Sequence, residues 1–371
     1  MLSLFRIQGT IDGKKVKAPK GATILEAARL AGIEIPTLCH VQGCTPTGVC
    51  RVCVVEVRGQ RTLQGACHTP FAPGMDVLTK SPKVLAVRKA VVELMLAAHT
   101  GDCVNDENAG RCGLHALASD HEAGAPRFGM ARPRSFPAEE VNPFVTRNLS
   151  KCILCRRCVT ACRELAGRTV LGIGYRGFSS KVVTGFDESL TSSECRDCGI
   201  CIEHCPTGAL SRPGDAGRIG ERTPTARLPK EQAPQPGRTM LLPMLKDACA
   251  DSGHLSRETM ERVAGKAGLS LTEVFGVSSF YSLLPREPGG RHRIRICRCV
   301  PCDLKGSKTV VGGIMDAIGI GPGETSADGR FSLEVVGCIG ACDHAPAMMV
   351  DDELHGDLTP EKVGEILKSY E

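Results

Sequence analysis

Eight cysteines in two copies of one spacing constrain this chain more than any other feature: Cys152, Cys155, Cys158 and Cys162, then Cys195, Cys198, Cys201 and Cys205, followed by Pro206. Each copy is a C-x2-C-x2-C-x3-C run. That spacing wraps a chain around a cubane iron–sulfur cluster, with the fourth cysteine of each run ligating the cluster of the other. On that rule Cys152, Cys155, Cys158 and Cys205 hold one [4Fe–4S] cluster, and Cys195, Cys198, Cys201 and Cys162 hold a second. Two zinc sites are the plain alternative. Zinc takes four tetrahedral ligands, usually as two C-x2-C pairs or cysteine–histidine mixtures; three cysteines two residues apart plus a fourth, repeated 43 residues later, overshoot that need. The spacing implies electron transfer.

With 21 cysteines a short secreted chain would read as a disulfide scaffold, but 371 residues give room for two or three domains. The opening MLSLFRIQGTIDGKKVKAPKG is strand-like and polar, without the apolar core of a secretory signal. No run approaches the 18 apolar residues of a membrane span, so the expected compartment is the cytoplasm, where thiols stay reduced. The net charge of +5 is spread among acidic residues, and Trp is absent. A solvated surface explains this better than a nucleic-acid footprint does, and the expectation is no nucleic-acid partner and no membrane insertion.

The first eighty residues predict a small β-rich domain. Leu2 to Gln8 and Lys14 to Ala18 read as a hairpin around the Asp12-Gly13 turn. Thr23-Ile-Leu-Glu26 is a capping box that opens a short helix ending at Gly32. Strand, strand, helix and then a cysteine loop is the order of a ferredoxin-type β-grasp. The cysteines Cys39, Cys50, Cys53 and Cys67 stand as C-x10-C-x2-C-x13-C, which is not the plant-type spacing. With the text IPTLCHVQGCTPTGVCRVCVVEV, this region resembles the N-terminal domain of the large iron–sulfur subunit of respiratory complex I and of iron-only hydrogenases. The resemblance implies a [2Fe–2S] cluster on Cys39, Cys50, Cys53 and Cys67. Cys44 departs from that spacing and reads as a small buried thiol.

Residues 82–98 have helical periodicity and deliver His99, after which come Cys103 and Cys112. The same family carries H-x3-C-x2-C-x5-C here, binding a [4Fe–4S] cluster with one histidine ligand. His99, Cys103 and Cys112 match, and Asp106 replaces the middle cysteine. The resemblance implies a third [4Fe–4S] cluster, with Asp106 as a labile fourth ligand, because carboxylate is a harder donor than thiolate. Between the two cubane runs, Gly172-x-Gly174-x-x-Gly177 is formally a dinucleotide fingerprint, but neither a strand-to-helix context nor a suitably placed acidic residue supports it.

Residues 213–238 are proline-rich and read as a linker. Beyond it, helical patterns at 241–250, 257–267 and 271–282 precede a strand HRIRICRC, a helix near 308–318 and a strand SLEVVGC, which implies an α/β layer. Cys297-x4-Cys302 and Cys338-x3-Cys342, with the phrases EVFGVSSFYSLL and VGCIGACDHAPAMMVDDELHGDLTPEKV, resemble the thioredoxin-like [2Fe–2S] subunit of NADH dehydrogenases. That resemblance implies a second [2Fe–2S] cluster on Cys297, Cys302, Cys338 and Cys342, with Cys249 and Cys299 as non-ligands.

The expected architecture is an α+β multidomain chain. A β-grasp domain spans 1–80, a His/Cys cluster domain 81–125, a two-cluster ferredoxin domain 140–212, and helices with a thioredoxin-like domain 239–371. The resemblance implies an electron-transfer subunit of a soluble NAD(P)-linked oxidoreductase of hydrogenase, transhydrogenase or formate dehydrogenase type. It also implies FMN and NAD(P) on a partner flavoprotein, and a further catalytic subunit or a ferredoxin as the other electron partner. A free-standing multi-cluster carrier or redox sensor is the alternative.

Overall fold

The computed structural model describes residues 6–99, 112–124, 127, 135–136, 139–142, 144–190, 195, 198–213 and 236–370. The chain divides into two compact units, Met1–Ala233 and Pro234–Glu371.

Unit one opens with the expected hairpin, β1 (Arg6–Ile11) and β2 (Lys14–Pro19), paired antiparallel through Ile11↔Lys14 at the turn. The strand runs on to Ile11, beyond the Gln8 expected from the sequence, because alternation continues until Asp12 and Gly13 take positive φ values of 49° and 76°. Helix α1 (Ile24–Leu30) starts at the Thr23–Glu26 capping box, with both reciprocal hydrogen bonds formed. Strands β3 (Val54–Val57), β4 (Gln64–Gly65) and β5 (Asp76–Leu78) complete a five-stranded sheet in the order β2-β1-β5-β3-β4. Beneath it Ile11, Val16, Ile24, Leu25, Val55 and Val77 pack with Cys53 and Cys67, so two cysteines of the first set belong to the core that holds the domain together.

Helix α2 (Pro82–Ala98) follows the predicted span, capped by Ser81 with proline in its first turn. Its Arg88 is 2 % exposed. The guanidinium donates from Nε to the Val52 carbonyl at 3.1 Å and from Nη2 to the Val54 carbonyl at 2.8 Å, gripping the strand on either side of Cys53. Helix α3 (Gly113–Asp120) packs on α2, burying Leu114 and Ala118 with Val92.

The two-cluster module is closed by its own ends. Strands β6 (Glu139–Asn142) and β7 (Val145–Arg147) pair before the first cysteine run. Helix α4 (Arg157–Glu164), the hairpin β8 (Gly172–Gly174) and β9 (Lys181–Val183), and α5 (Ile200–Glu203) follow. Strand β10 (Leu210–Ser211) then returns to β7, with Leu210 opposite Arg147. The Gly172-x-Gly174-x-x-Gly177 segment lies in the β8–β9 hairpin, a strand followed by a strand, which is not the strand-to-helix setting a dinucleotide site needs.

Unit two begins with three helices, α6 (Pro236–Ser252), α7 (Arg257–Ala267) and α8 (Leu271–Phe280). The first starts five residues before the expected 241. Ser256 caps α7, and Ser270 with Glu273 forms a capping box for α8. The remainder is strand β11 (His292–Cys297), α9 (Val300–Leu304), α10 (Ser307–Ile318), β12 (Phe331–Val336), β13 (Met348–Val350), β14 (Glu353–His355) and α11 (Pro360–Lys368). The sheet order is β12-β11-β13-β14, with β11 parallel to β12 and antiparallel to β13. A parallel pair needs a crossover, and α9 with α10 supplies it. Ile294, Ile296, Leu333 and Met348 meet Val310, Ile314, Val363 and Leu367 of the covering helices in one core.

Candidate metal centres

Cys39, Cys50, Cys53 and Cys67 meet between the β-grasp sheet and the loop after α1, each at most 5 % exposed. Glycines 43 and 48 and Arg51 take positive φ in that loop, letting it curl the first three thiols toward the fourth. The thiols contact one another directly. Hydrogen bonds from Cys50 and then Cys67 drive the Cys39 thiol far below its ordinary range, and Cys67 lowers Cys53 to about 7. The donors move the other way. Cys50 is pushed up by its bond to Cys39, and Cys67 by its bonds to Cys39 and Cys53. Four buried thiols that must share protons are a set that metal binding would deprotonate together, which suits a buried [2Fe–2S] cluster.

Arg88 sits against this site, and sequence reading missed its role. Burial is the main force lowering its pKa, and the negative charge of Cys53 opposes that. A buried cation beside an anionic cluster eases the addition of an electron. Arg88→Met should therefore lower the reduction potential of this cluster by roughly 50–100 mV, on an effective dielectric near 20. It should also cost about 2–4 kcal/mol of stability by leaving the Val52 and Val54 carbonyls unpaired. A redox titration followed by electron paramagnetic resonance, with thermal unfolding alongside, checks both; an unmoved potential would remove the charge argument.

The cubane cysteines sort into two cavities. One is lined by Cys152, Cys155, Cys158 and Cys205, together with Leu149, Arg156, Thr207 and Leu210. The other is lined by Cys162, Cys195, Cys198 and Cys201, together with Arg168, Val170, Leu190 and Ile200. The geometry follows from the repeat. After the second cysteine of each run, Arg156 and Gly199 adopt left-handed φ values of 64° and 66° and serve as N-caps of α4 and α5. The turn so made folds three thiols into one cavity, and the four-residue step to the last cysteine carries Cys162 and Cys205 into the neighbouring one. The Leu154 amide donates to Cys152 Sγ at 3.4 Å, the kind of bond that tunes a cluster's potential. Burial is the main cause raising the thiols of Cys155, to about 12, and of Cys158, Cys162 and Cys201.

At the third expected centre, His99 and Cys112 come together, with His99 Nε2 3.9 Å from Cys112 Sγ. Cys103 and Asp106 lie outside the described residues. His115, which sequence reading passed over, joins the pair, and the ligand atoms of all three lie within 4.8 Å of one another. The available signal was C-x2-H, since residue 115 lies one helical step beyond Cys112.

In unit two, Cys297 and Cys302 are buried, and Cys338 and Cys342 are exposed with their sulfurs 3.7 Å apart. Two thiolates on one tetrahedral metal, at about 2.3 Å per bond, stand about 3.8 Å apart. The Cys338 sulfur raises the Cys342 thiol to about 11, and burial raises Cys302 to about 12. Cys299, read from sequence as a non-ligand, falls within 4.8 Å of both pairs, forming one close group with Cys297 and Cys302 and another with Cys338 and Cys342. Cys249 lies on α6 and Cys44 is buried. Exposed Val300 and Leu304 of α9 flank Cys302.

Comparison with known proteins divides the chain along the same lines. Residues 6–82 match the model of a 2Fe-2S iron–sulfur cluster binding domain, and 88–127 the NADH-ubiquinone oxidoreductase-G iron–sulfur binding region. Residues 142–211 match the ferredoxin-like domain of NADH-quinone oxidoreductase subunit 3, and 230–371 the thioredoxin-like [2Fe-2S] ferredoxin. An NADP-reducing hydrogenase subunit, HndD, of Solidesulfovibrio fructosivorans is 39 % identical over 212 residues, covering 54 % of this chain and 35 % of the relative. A large NADH-quinone oxidoreductase subunit of Rhizobium meliloti, the G 2 protein, is 39 % identical over 206 residues, covering 55 % and 24 %. The chain thus spans about a third of the first relative's length and about a quarter of the second's. In a crystal structure of an NAD+-reducing [NiFe]-hydrogenase, one chain aligns with a TM-score of 0.53 at 32 % identity, covering 57 % of this chain and 88 % of that one. Residues 6–211 therefore belong to the iron–sulfur region shared by the G-type subunits of NADH-quinone oxidoreductase and by NADP-reducing hydrogenase, and residues 230–371 belong to the thioredoxin-like [2Fe–2S] ferredoxins.

Proposed function

We propose that this chain is an iron–sulfur electron-transfer subunit of a multi-subunit NAD(P)H-linked oxidoreductase. It relays electrons between an FMN-containing flavoprotein subunit and another redox centre or ferredoxin. Two [2Fe–2S] clusters, on Cys39, Cys50, Cys53 and Cys67 and on Cys297, Cys302, Cys338 and Cys342, flank two [4Fe–4S] clusters with crossed ligands. The match across residues 88–127 supports a further centre at His99 and Cys112, where the family spacing implies a third [4Fe–4S] cluster with Cys103 and Asp106.

The observation that carries the reading is one buried cluster of side chains in unit one. Cys39 and Cys50 of the first site, Cys112 of the second and Cys155 of a cubane pack together with Leu38, Val52, Val92 and Leu114. The Gly113 amide donates to the Pro206 carbonyl at 2.7 Å, so the residues after Cys112 and Cys205 are tied together. The Thr45 amide donates to Glu164 Oε2 at 2.7 Å, fixing the β-grasp loop to α4. Electron tunnelling falls steeply with distance, and a shared core holds centres at fixed short separations. The relatives' names, an NADP-reducing hydrogenase and an NADH-quinone oxidoreductase, set the partner class.

The chain's own residues hold clusters and tune their potentials through burial, charge and amide hydrogen bonds. When bound, the clusters supply one-electron transfer. Stopped-flow absorbance tests the division of labour: NADH should leave the isolated chain oxidised on the timescale of turnover, and adding the flavoprotein should bring rapid reduction. Rapid reduction by NADH alone would place the nucleotide chemistry in this chain and defeat the reading.

A further inference from the structure

At the centre where the family spacing is broken, a donor of the right chemistry stands where no sequence pattern asks for one. His99 closes α2 at its C-cap, Cys112 is the N-cap of α3, and His115 is the third residue of α3. A three-residue step at a helix start puts Cys112 and His115 on one face, and the packing of α3 on α2 brings that face to His99. The His99 and His115 rings lie 5.6 Å apart between centroids, inclined at 58°.

The spacing decides between two kinds of centre. Two ligands on one tetrahedral metal, with bonds of about 2.0 Å to nitrogen and 2.3 Å to sulfur, stand roughly 3.5 Å apart. The observed nitrogen-to-sulfur distance is 3.9 Å, and all three donors lie within 4.8 Å of one another. Ligands at different corners of a cube are held apart by the cube itself. Among the described residues, neither cubane set brings three of its thiols that close, although all eight are described. The donors are two imidazoles and a thiolate, the borderline-soft mixture that zinc selects.

We propose that His99, Cys112 and His115 together hold one metal ion, a mixed imidazole–thiolate site of the zinc class, in place of the cubane the family spacing implies, and that Asp106 is not a ligand. The ion clasps the end of α2 to the start of α3. It takes no part in electron transfer, since zinc has no redox chemistry. Electrons then pass from the Cys39–Cys50 site to the Cys155 cubane through the core those residues share. The inference sits beside the relay reading and can fail without it.

The test uses full-length protein purified anaerobically from cells supplied with iron and zinc. Elemental analysis should find one zinc per chain beside about 12 iron, the iron count following from the four clusters. X-ray absorption at the zinc edge should show nitrogen neighbours near about 2.0 Å and sulfur near about 2.3 Å. His115→Ala should lose the zinc while visible absorption of the other clusters persists, His115→Cys should keep the zinc with one nitrogen neighbour fewer, and Asp106→Ala should change nothing. If His115→Ala fails to fold, the nitrogen count of the wild type against His115→Cys decides. About 16 iron without zinc, or zinc lost on Asp106→Ala and retained on His115→Ala, overturns the proposal. One zinc at this site with iron far below 12 upholds it and defeats the relay reading instead.

Discussion

Replacing Cys162 by serine should strip the cluster built on Cys195, Cys198 and Cys201 and leave intact the one built on Cys152, Cys155 and Cys158, although Cys162 belongs to the earlier run. The cavity that Cys162 lines is the one holding the later three thiols, and Cys205 makes the reciprocal crossing. Serine offers a hard oxygen where iron in a sulfide cluster favours thiolate, so the expected result is loss of about four iron, or conversion to a three-iron form. Cys205→Ser should do the same to the first cavity. Alkylating the native variants and mapping the labelled peptides reads the outcome directly. Cys162→Ser should expose Cys195, Cys198 and Cys201 to reagent and keep Cys152, Cys155 and Cys158 protected; the reverse pattern would mean that each run closes on its own cluster.

Removing residues 236–371 should slow reduction by NADH and the flavoprotein by roughly tenfold or more, yet leave the cubanes reducible by a chemical reductant. The unit has its own core, built from Ile294, Ile296, Ile314, Leu333 and Met348, and unit one has separate cores, so each part is expected to fold alone. Its cluster thiols Cys338 and Cys342 are exposed, whereas those at the β-grasp site are buried, and the apolar side chains of Val300 and Leu304 project beside them. A surface cluster with an apolar rim suits electron exchange with a partner. Unchanged NADH-driven reduction after the deletion would assign electron entry to unit one. Loss of cubane absorption would instead show that the units depend on each other for folding.

The elements that local chemistry dictates were legible in the sequence. The capping box at Thr23 and the apolar periodicity from Pro82 to Ala98 fall where the helices form. The Asp12-Gly13 turn sets the first hairpin, and the repeated cysteine spacing, read with its crossing rule, matches the sorting of thiols into two cavities. Long-range packing was not legible. Arg88 looks like one more surface cation on a helix until β3 is seen to offer it the Val52 and Val54 carbonyls. His115 lies 16 residues beyond His99, and only the packing of α3 on α2 brings the two rings together. Cys299 is set aside by spacing because a five-residue step already links Cys297 to Cys302, yet the turn into α9 places its sulfur 3.3 Å from that of Cys297. Each miss is a contact made by tertiary packing, which a pattern along the chain does not encode.

Iron and acid-labile sulfide counted per chain in anaerobically purified protein test the central claim, that four iron–sulfur clusters line this polypeptide, most directly. The account predicts about 12 iron and about 12 sulfide in a brown protein, from two [2Fe–2S] and two [4Fe–4S] clusters. A colourless protein holding zinc at all four cysteine sets, with little sulfide, would contradict it.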